Sequence, residues 1–191
     1  MPTIHPVQSL MNEHRVIERV LRALEIRLGH LGEPPFPEDF FAKALDFFRV
    51  YADSCHHFKE EDTLFPALNQ KGFPRDSGPV GMMLYEHQAG RSYLAQIRDN
   101  LAAAASNNAG AIAAIRENGF AYVELLRAHI QKEDNVLFQM AYQALDAADF
   151  ERVDAIFNDE SNEKINAAVH RKYEALAEEL SLAASPEPVH D

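Results

Sequence analysis

Residues that break helices are concentrated in three short stretches of this sequence, and their spacing is the strongest constraint on its fold. Glycine, proline and asparagine cluster at residues 32–37, 71–79 and 106–110. Between these stretches, and onward to about Ala147, apolar residues recur at i, i+3, i+4 and i+7, which is the period of an amphipathic helix. Four long helices with short connections predict an all-α, up-down-up-down antiparallel four-helix bundle.

Two shorter apolar patterns follow the fourth long segment. Phe150, Val153 and Phe157 predict a short fifth helix, and a stripe from Ile165 to Leu180 predicts a sixth. We therefore expect a bundle at residues 1–147 and a helical extension at 148–184, which covers the side of the bundle or forms the surface of a homodimer. The polar residues 185–191 predict a disordered tail.

The charge and cysteine content narrow the class of partner and of metal site. The 18 basic and 30 acidic side chains give a formal net charge of −12, which argues against nucleic acid or an anionic membrane as a partner. One cysteine, Cys55, excludes an intramolecular disulfide and zinc sites built on CxxC pairs, so a metal must use His, Glu or Asp. Because there is neither a run of about eighteen apolar residues nor a recognisable signal peptide, we expect a cytoplasmic protein.

A histidine occupies a core position in the apolar stripe of each long segment. The four segments supply His14, His57, His87 and His129, and the second and fourth add Glu61 and Glu133 one helical turn later. Counting residues from the connecting loops places all four imidazoles in one layer, with both glutamates entering from the same side. Isolated buried carboxylates are costly unless charges or a metal compensate them. Four imidazoles and two bridging carboxylates without a thiolate predict a pair of divalent ions, iron in preference to zinc.

A second histidine and glutamate pair competes with this assignment in the second segment. His56 and Glu60 are also four residues apart, but the stripe that contains them is otherwise polar. We therefore predict that His56 and Glu60 face solvent and that His57 and Glu61 face the core.

Other polar residues near the expected site have simpler interpretations. Glu18 lies one turn after His14 and is either a further ligand or the buried partner of Arg91. Cys55 faces about 100° away from its neighbour on a helix, so we expect a packing thiol. No function is predicted for the remaining histidines, which are His5, His30, His170 and His190.

The order H…HxxxE…H…HxxxE resembles the hemerythrin-like HHE cation-binding family. The similarity covers about residues 5–146 and includes the strings NEHRVIERVL, CHHFKEEDTLFPAL, EHQAGR and HIQKEDNVLF. The resemblance implies a non-haem di-iron centre, in which two Fe ions are bridged by Glu61, Glu133 and an oxo or hydroxo oxygen. His14 and His57 would hold one iron, and His87 and His129 the other.

The resemblance also has consequences for reactivity. Its oxygen-carrying members have a fifth histidine one turn from the third-helix ligand and an HxxxxD spacing on the last helix, whereas this chain has Arg91 and HxxxE. We therefore expect a protein that binds or reacts with dioxygen, peroxide or nitric oxide, as a sensor, scavenger or peroxide-decomposing enzyme. The alternatives are iron handling or storage without turnover, and a structural helical module.

Overall fold

The computed structural model describes residues 5–32 and 34–184, in which all regular secondary structure is helical. The helices are α1 (Pro6–Gly29), α2 (38–70), α3 (Gly78–Ala105), α4 (109–144), α5 (Ala147–Phe157) and α6 (Ala167–Ala184). None of these helices is long and apolar enough to cross a membrane. The predicted all-α class is confirmed. The tail expected at residues 185–191 lies outside the described residues.

Helices α2 and α4 change their winding along their length. Helix α2 is α-helical over Glu38–Phe47 and Phe65–Gln70 and π-helical over Phe48–His57 and Glu60–Leu64. Helix α4 is α-helical over Ala109–Lys132 and Phe138–Ala144, with a π-helical segment at Glu133–Leu137 between them. A π-helical turn contains an extra residue, which shifts the side chains relative to α-helical spacing, and such turns are frequent at functional sites.

Side-chain caps define where several helices begin. The Asn108 side chain accepts a hydrogen bond from the backbone N–H of Ala111 at the start of α4. Asp146 and Asp149 form a reciprocal capping box at the start of α5. His5 caps α1, since its Nδ1 accepts from the N–H of Val7 at 3.3 Å. These caps satisfy backbone donors that lack a partner within the helix.

Two apolar clusters lie on either side of a polar layer. The larger cluster contains residues from Val16 to Leu31 of α1, together with the first half of α2 and parts of α3, α4 and α6. The smaller one contains Val7 and Leu10, the end of α2, the start of α3, the end of α4, and α5. The polar layer therefore crosses the bundle between two water-excluding regions.

The last two helices pack on the long helices. The Tyr173 hydroxyl of α6 donates to Asp46 of α2 at 2.8 Å, and the buried carboxylate of Asp149 in α5 contacts Lys71 at 2.7 Å. Phe157 of α5 lies 5.3 Å from the Lys59 ammonium. Of the two arrangements expected for residues 148–184, the structure shows packing on the bundle, and the homodimer stays a prediction.

Close packing at Gly119 provides a test of the contact between α1 and α4. A Cβ at this position would lie 2.6 and 2.7 Å from the two Cδ atoms of Leu28, which is fully buried. We expect Gly119→Ala to lower the free energy of unfolding by about 1–3 kcal/mol, because overpacking outweighs the gain in helix propensity.

Gly90→Ala is the matched control for this substitution. Its Cβ would meet Tyr122 at an ordinary 3.4 Å, so stability should be unchanged or slightly higher. Chemical denaturation of the three proteins measures the difference. Equal stability of Gly119→Ala and Gly90→Ala would contradict the packing described here.

Candidate metal centre

Seven ionisable side chains form the polar layer, and each is less than a tenth exposed. They are His14 of α1, His56, His57 and Glu60 of α2, His87 of α3, and His129 and Glu133 of α4. Five imidazoles and two carboxylates thus share one water-poor volume. Such groups are stable there only when they compensate one another or bind an ion.

The π-helical segment of α2 explains how two successive histidines are both buried. In a regular α-helix, consecutive side chains point about 100° apart. The segment Phe48–His57 is π-helical and ends at these two residues, whose ring centroids are 5.8 Å apart. His56 and His57 are 1% and 7% exposed. Helix α2 therefore contributes two imidazoles to the layer.

The potential ligand atoms form two adjacent sets, each within 4.8 Å. The two-histidine group contains His14, His56, Glu60 and Glu133, and the three-histidine group contains His57, His87, His129 and Glu60. Glu60 belongs to both groups. Glu133 Oε2 lies 3.2 Å from Nε2 of both His14 and His129, so it also extends between them.

The spacing of the nitrogen atoms fits metal coordination. The Nε2 atoms of His14 and His56 are 3.0 Å apart, and those of His87 and His129 are also 3.0 Å apart. Two nitrogens that bind one ion at right angles, each about 2.1 Å from it, are about 3.0 Å apart. Neither pair of imidazoles needs to move to hold an ion.

The two glutamates provide a second indication of a cation site. Both are fully buried, and none of their four side-chain oxygens has a hydrogen-bond partner. Unsatisfied buried carboxylates are rare and costly. A pair of divalent ions placed between the two groups would satisfy them.

The pKa shifts show how the charges balance when protons are the available cations. Burial, together with the negative charge of Glu133, raises the pKa of Glu60 well above its ordinary value. Burial lowers the pKa of His129, but Glu133 and Glu86 outweigh it and raise the value to about 9. Glu60 therefore keeps its proton, and protonated His129 balances Glu133. Metal binding would release these protons.

Each imidazole in the layer is also held at Nδ1 by a carboxylate. Nδ1 donates to Asp134 from His14 (2.7 Å), to Glu13 from His56 (2.9 Å), to Asp53 from His57 (3.2 Å), to Glu61 from His87 (2.7 Å) and to Glu86 from His129 (2.9 Å). This outer contact fixes the tautomer and turns the Nε2 lone pair toward the centre, as in carboxylate–histidine–metal sites.

The contacts reveal an internal repeat with a period of 73 residues. Glu13 accepts from His56 and binds Lys59, and Glu86, 73 positions later, accepts from His129 and binds Lys132. The same offset relates His14 to His87, Glu60 to Glu133, and Glu61 to Asp134. The two halves therefore contribute matching ligands and matching outer carboxylates.

The structure corrects the predicted register of α2. The prediction that His56 and Glu60 face solvent is wrong, since both are buried in the layer. Glu61 lies outside the two groups, where it accepts from His87 and pairs with Arg91. The expected pairing of His57 with Glu61 is replaced by that of His56 with Glu60.

A sequence signal for this register exists. Lys59-Glu60 and Leu64-Phe65 match Lys132-Glu133 and Leu137-Phe138 at an offset of 73, whereas pairing His57 with His129 requires 72. The lysines and the Leu-Phe pairs thus distinguish the two alignments. The layer accordingly contains five histidines where four were expected.

Glu18 and Arg91 do not form the expected contact. Glu18 is at the surface and pairs with Arg15 at 3.0 Å, away from both groups. The Arg91 guanidinium contacts Asp53 and Glu61 at 2.7 Å each, and so braces the carboxylates that hold His57 and His87.

Cys55 and His170 form a third polar cluster, which sequence reasoning missed. The Cys55 thiol is buried, as expected of a packing residue, and burial raises its pKa to about 12. Its Sγ lies 3.3 Å from Nε2 of His170, which belongs to α6. Lys59 and Glu13 complete the cluster, with Lys59 Nζ 3.3 Å from the same Nε2. His30 lies at the end of α1, and His190 lies outside the described residues.

Comparison with known proteins agrees with this geometry. The model of the hemerythrin HHE cation binding domain matches residues 5–141, and the chain belongs to this family. With the clusters described above, this makes it a metal-binding protein.

Two curated relatives illustrate the range of similar proteins. Uncharacterized protein Rv1995 of Mycobacterium tuberculosis (strain ATCC 25618 / H37Rv) is 25% identical over 162 residues, which are 84% of this chain and 63% of that protein. Iron-sulfur cluster repair protein YtfE of Edwardsiella ictaluri (strain 93-146) is 35% identical over 130 residues, which are 65% of this chain and 56% of that protein. The chain thus spans less than two thirds of the length of these relatives. No solved structure matches it.

Substitution of two neighbouring glutamates tests the register of α2. We expect Glu60→Gln to lose tightly bound metal, because a carboxylate shared by both groups is removed. Glu61→Gln should retain the metal with an affinity lowered about 10–100-fold, as for an outer hydrogen-bond partner. Elemental analysis after reconstitution and dialysis compares the two variants. Full metal content in Glu60→Gln, with loss in Glu61→Gln, would restore the register predicted from the sequence.

The pH dependence of the metal-free protein provides a second test. Because the pKa of Glu60 is raised in the folded state, the folded state binds more protons than the unfolded state above pH 4.5. Stability should therefore fall as pH rises from 4.5 toward the raised value. We expect metal-free Glu60→Gln to melt at a higher temperature than the metal-free parent at pH 7, with a smaller difference at pH 5. The same difference at both pH values would show that Glu60 has an ordinary pKa.

Proposed function

We propose that this chain is a non-haem di-iron protein that binds or reacts with a small oxidant: dioxygen, peroxide or nitric oxide. The observation that carries the proposal is the pair of buried, hydrogen-bond-free carboxylates between two groups of imidazoles. The proposed ligands are His14, His56, His57, His87, His129, Glu60 and Glu133. Glu60 and Glu133 would be shared by the two ions.

Iron is supported by the chemistry of the donor set. Imidazole and carboxylate without thiolate suit borderline divalent ions, and carboxylate-sharing metal pairs in helical bundles are characteristically iron or manganese. Two ferrous ions at this position would supply two electrons to an oxidant, or open coordination positions for a diatomic ligand.

The protein's own residues prepare the site for this chemistry. The outer carboxylates hold the imidazoles in one tautomer, and the two carboxylates shared between the groups offset the positive charge of the ions. The apolar clusters on either side exclude bulk water, which strengthens these electrostatic interactions. Phe65 and Phe138 pack against His87 and His14, with ring centroids 6.0 and 5.6 Å apart.

We also infer that the four long helices run up, down, up and down. Contacts between α1 and α4 pair Leu28 with Gly119 at one end and His14 with Asp134 toward the other. Such pairings, in which one residue number rises as the other falls, indicate antiparallel neighbours. The cytoplasmic location and the homodimer stay predictions.

A second function is favoured by one comparison. The relative named iron-sulfur cluster repair protein YtfE matches 130 residues, and its name raises the alternative that this chain handles iron for such clusters. This alternative requires that iron leave the protein readily. The coordination proposed here, with both carboxylates buried and shared, favours retention.

Metal content and reactivity together test the proposal. We expect about two iron atoms per chain after anaerobic reconstitution, since there are two groups of ligands sharing two carboxylates. On mixing with dioxygen or peroxide, the ferrous protein should develop absorption in a stopped-flow spectrometer while retaining its iron. One zinc per chain with no competition from iron would exclude the di-iron proposal. Transfer of iron to a chelator on each oxidation would support iron handling.

A further inference from the structure

A cavity of about 390 Å³ lies between α2 and α3 and opens to solvent. Apolar side chains such as Leu45, Leu94 and Leu101 form much of its wall, and three arginines line it, among them Arg91 and Arg98. None of the proposed metal ligands lines this cavity. Its inner end, however, contains Asp53 and Arg91, which belong to the outer shell of the centre.

A second and much smaller cavity, of about 20 Å³, continues toward the metal centre. It shares Asp53, Arg91 and Leu94 with the first cavity and is bounded on its inner side by His57, His87 and His129. About 10–15 Å³ of such volume holds one water molecule, so this chamber admits a species of only a few heavy atoms.

Gly90 provides the space for this chamber. It lies on α3, three residues after His87, and lines the chamber with Tyr122 opposite. A Cβ at position 90 would meet Tyr122 Cε2 at 3.4 Å, so alanine fits without displacing its neighbours but occupies part of the chamber.

The internal repeat shows that this opening is confined to one side of the centre. At an offset of 73, Gly90 corresponds to Ile17, which is buried in the apolar core. Arg91 corresponds to Glu18. The positions that correspond to His57 and Asp53 are Ile130 and Leu126. The departures from the repeat are therefore concentrated along the chamber, where the second half has a glycine and the first half a large apolar residue.

Arg91 stands at the junction of the two cavities. Its guanidinium spans Asp53 and Glu61 at 2.7 Å each, and about a third of the side chain is exposed. A molecule that moves from the outer cavity to the chamber must pass this ion-pair bridge and Leu94. The bridge is held at the protein surface, where solvent weakens ion pairs and allows them to open.

We propose that these two cavities form the access route for the small ligand, with Arg91 as its gate and Gly90 as the residue that limits ligand size. The proposal rests on the proposed function, because it names the path by which that ligand arrives. It restricts the ligand to species of two or three heavy atoms and places the path on the side of the three-histidine group.

Azide binding to the oxidised, iron-loaded protein tests the route, with stopped-flow absorption measuring association and dissociation. Gly90→Ala should slow both rates at least tenfold and change Kd less than twofold, since a narrowed passage obstructs entry and exit equally. Arg91→Ala should raise the association rate several-fold. Gly29→Ala, where an added Cβ meets no atom within 4 Å, and Arg98→Ala, which lines the outer cavity alone, should retain parental rates.

The ratio of the two rates separates a passage from a merely structural effect. A Gly90→Ala protein whose Kd changes while its association rate does not would show that position 90 shapes the centre rather than the path, and would overturn the proposal. Unchanged rates in both Gly90→Ala and the bulkier Gly90→Val would do the same.

A metal-free measurement separates this proposal from the di-iron proposal. Crystals of metal-free protein under xenon should show the gas in the outer cavity and in the chamber, and Gly90→Val should lose only the chamber site. Absence of xenon from the chamber of the parent would overturn the route whatever the metal content. A protein that loads no iron, but shows both xenon sites, would retain the route and lose the di-iron function.

Discussion

The burial of two carboxylates in the middle of an apolar core is the constraint on which the rest of this structure depends. Glu60 and Glu133 have no solvent exposure and no hydrogen bond, and each would be strongly destabilising if charged and alone. The imidazole layer exists to compensate them, with protons or with metal. The outer carboxylates and two lysines then balance the imidazoles, so the charge alternates outward from the centre: glutamate, histidine, carboxylate, and lysine at Lys59 and Lys132.

The repeat of 73 residues shows how this balance is built twice and then altered once. Each half supplies one histidine from its first helix, and a histidine and a glutamate from its second. His57 and Asp53 have no polar counterparts in the other half, and they lie where Gly90 leaves a chamber. The extra imidazole and the extra space therefore occur together. A symmetric scaffold thus acquires two inequivalent groups of ligands and one open side.

The extension connects to the centre through the outer shell. His170 on α6 lies beside Cys55 and Lys59, and Lys59 binds Glu13, whose other oxygen holds His56. Helix α5 also covers Lys59, through Phe157. The last two helices thus bury the lysine that balances Glu13, and in doing so they shield one side of the two-histidine group from water.

Hydrophobic periodicity by itself determined the all-α class, the long segments, and the inward faces that carry His14, His87, His129 and Glu133, because an α-helix repeats every 3.6 residues and a core stripe follows that period. The same rule failed in α2, where the winding is π-helical and two successive histidines turn inward. Local spacing cannot reveal a change of winding, since that change is stabilised by contacts with the other helices. Which of two adjacent carboxylates reaches the centre was therefore decided by the tertiary structure alone.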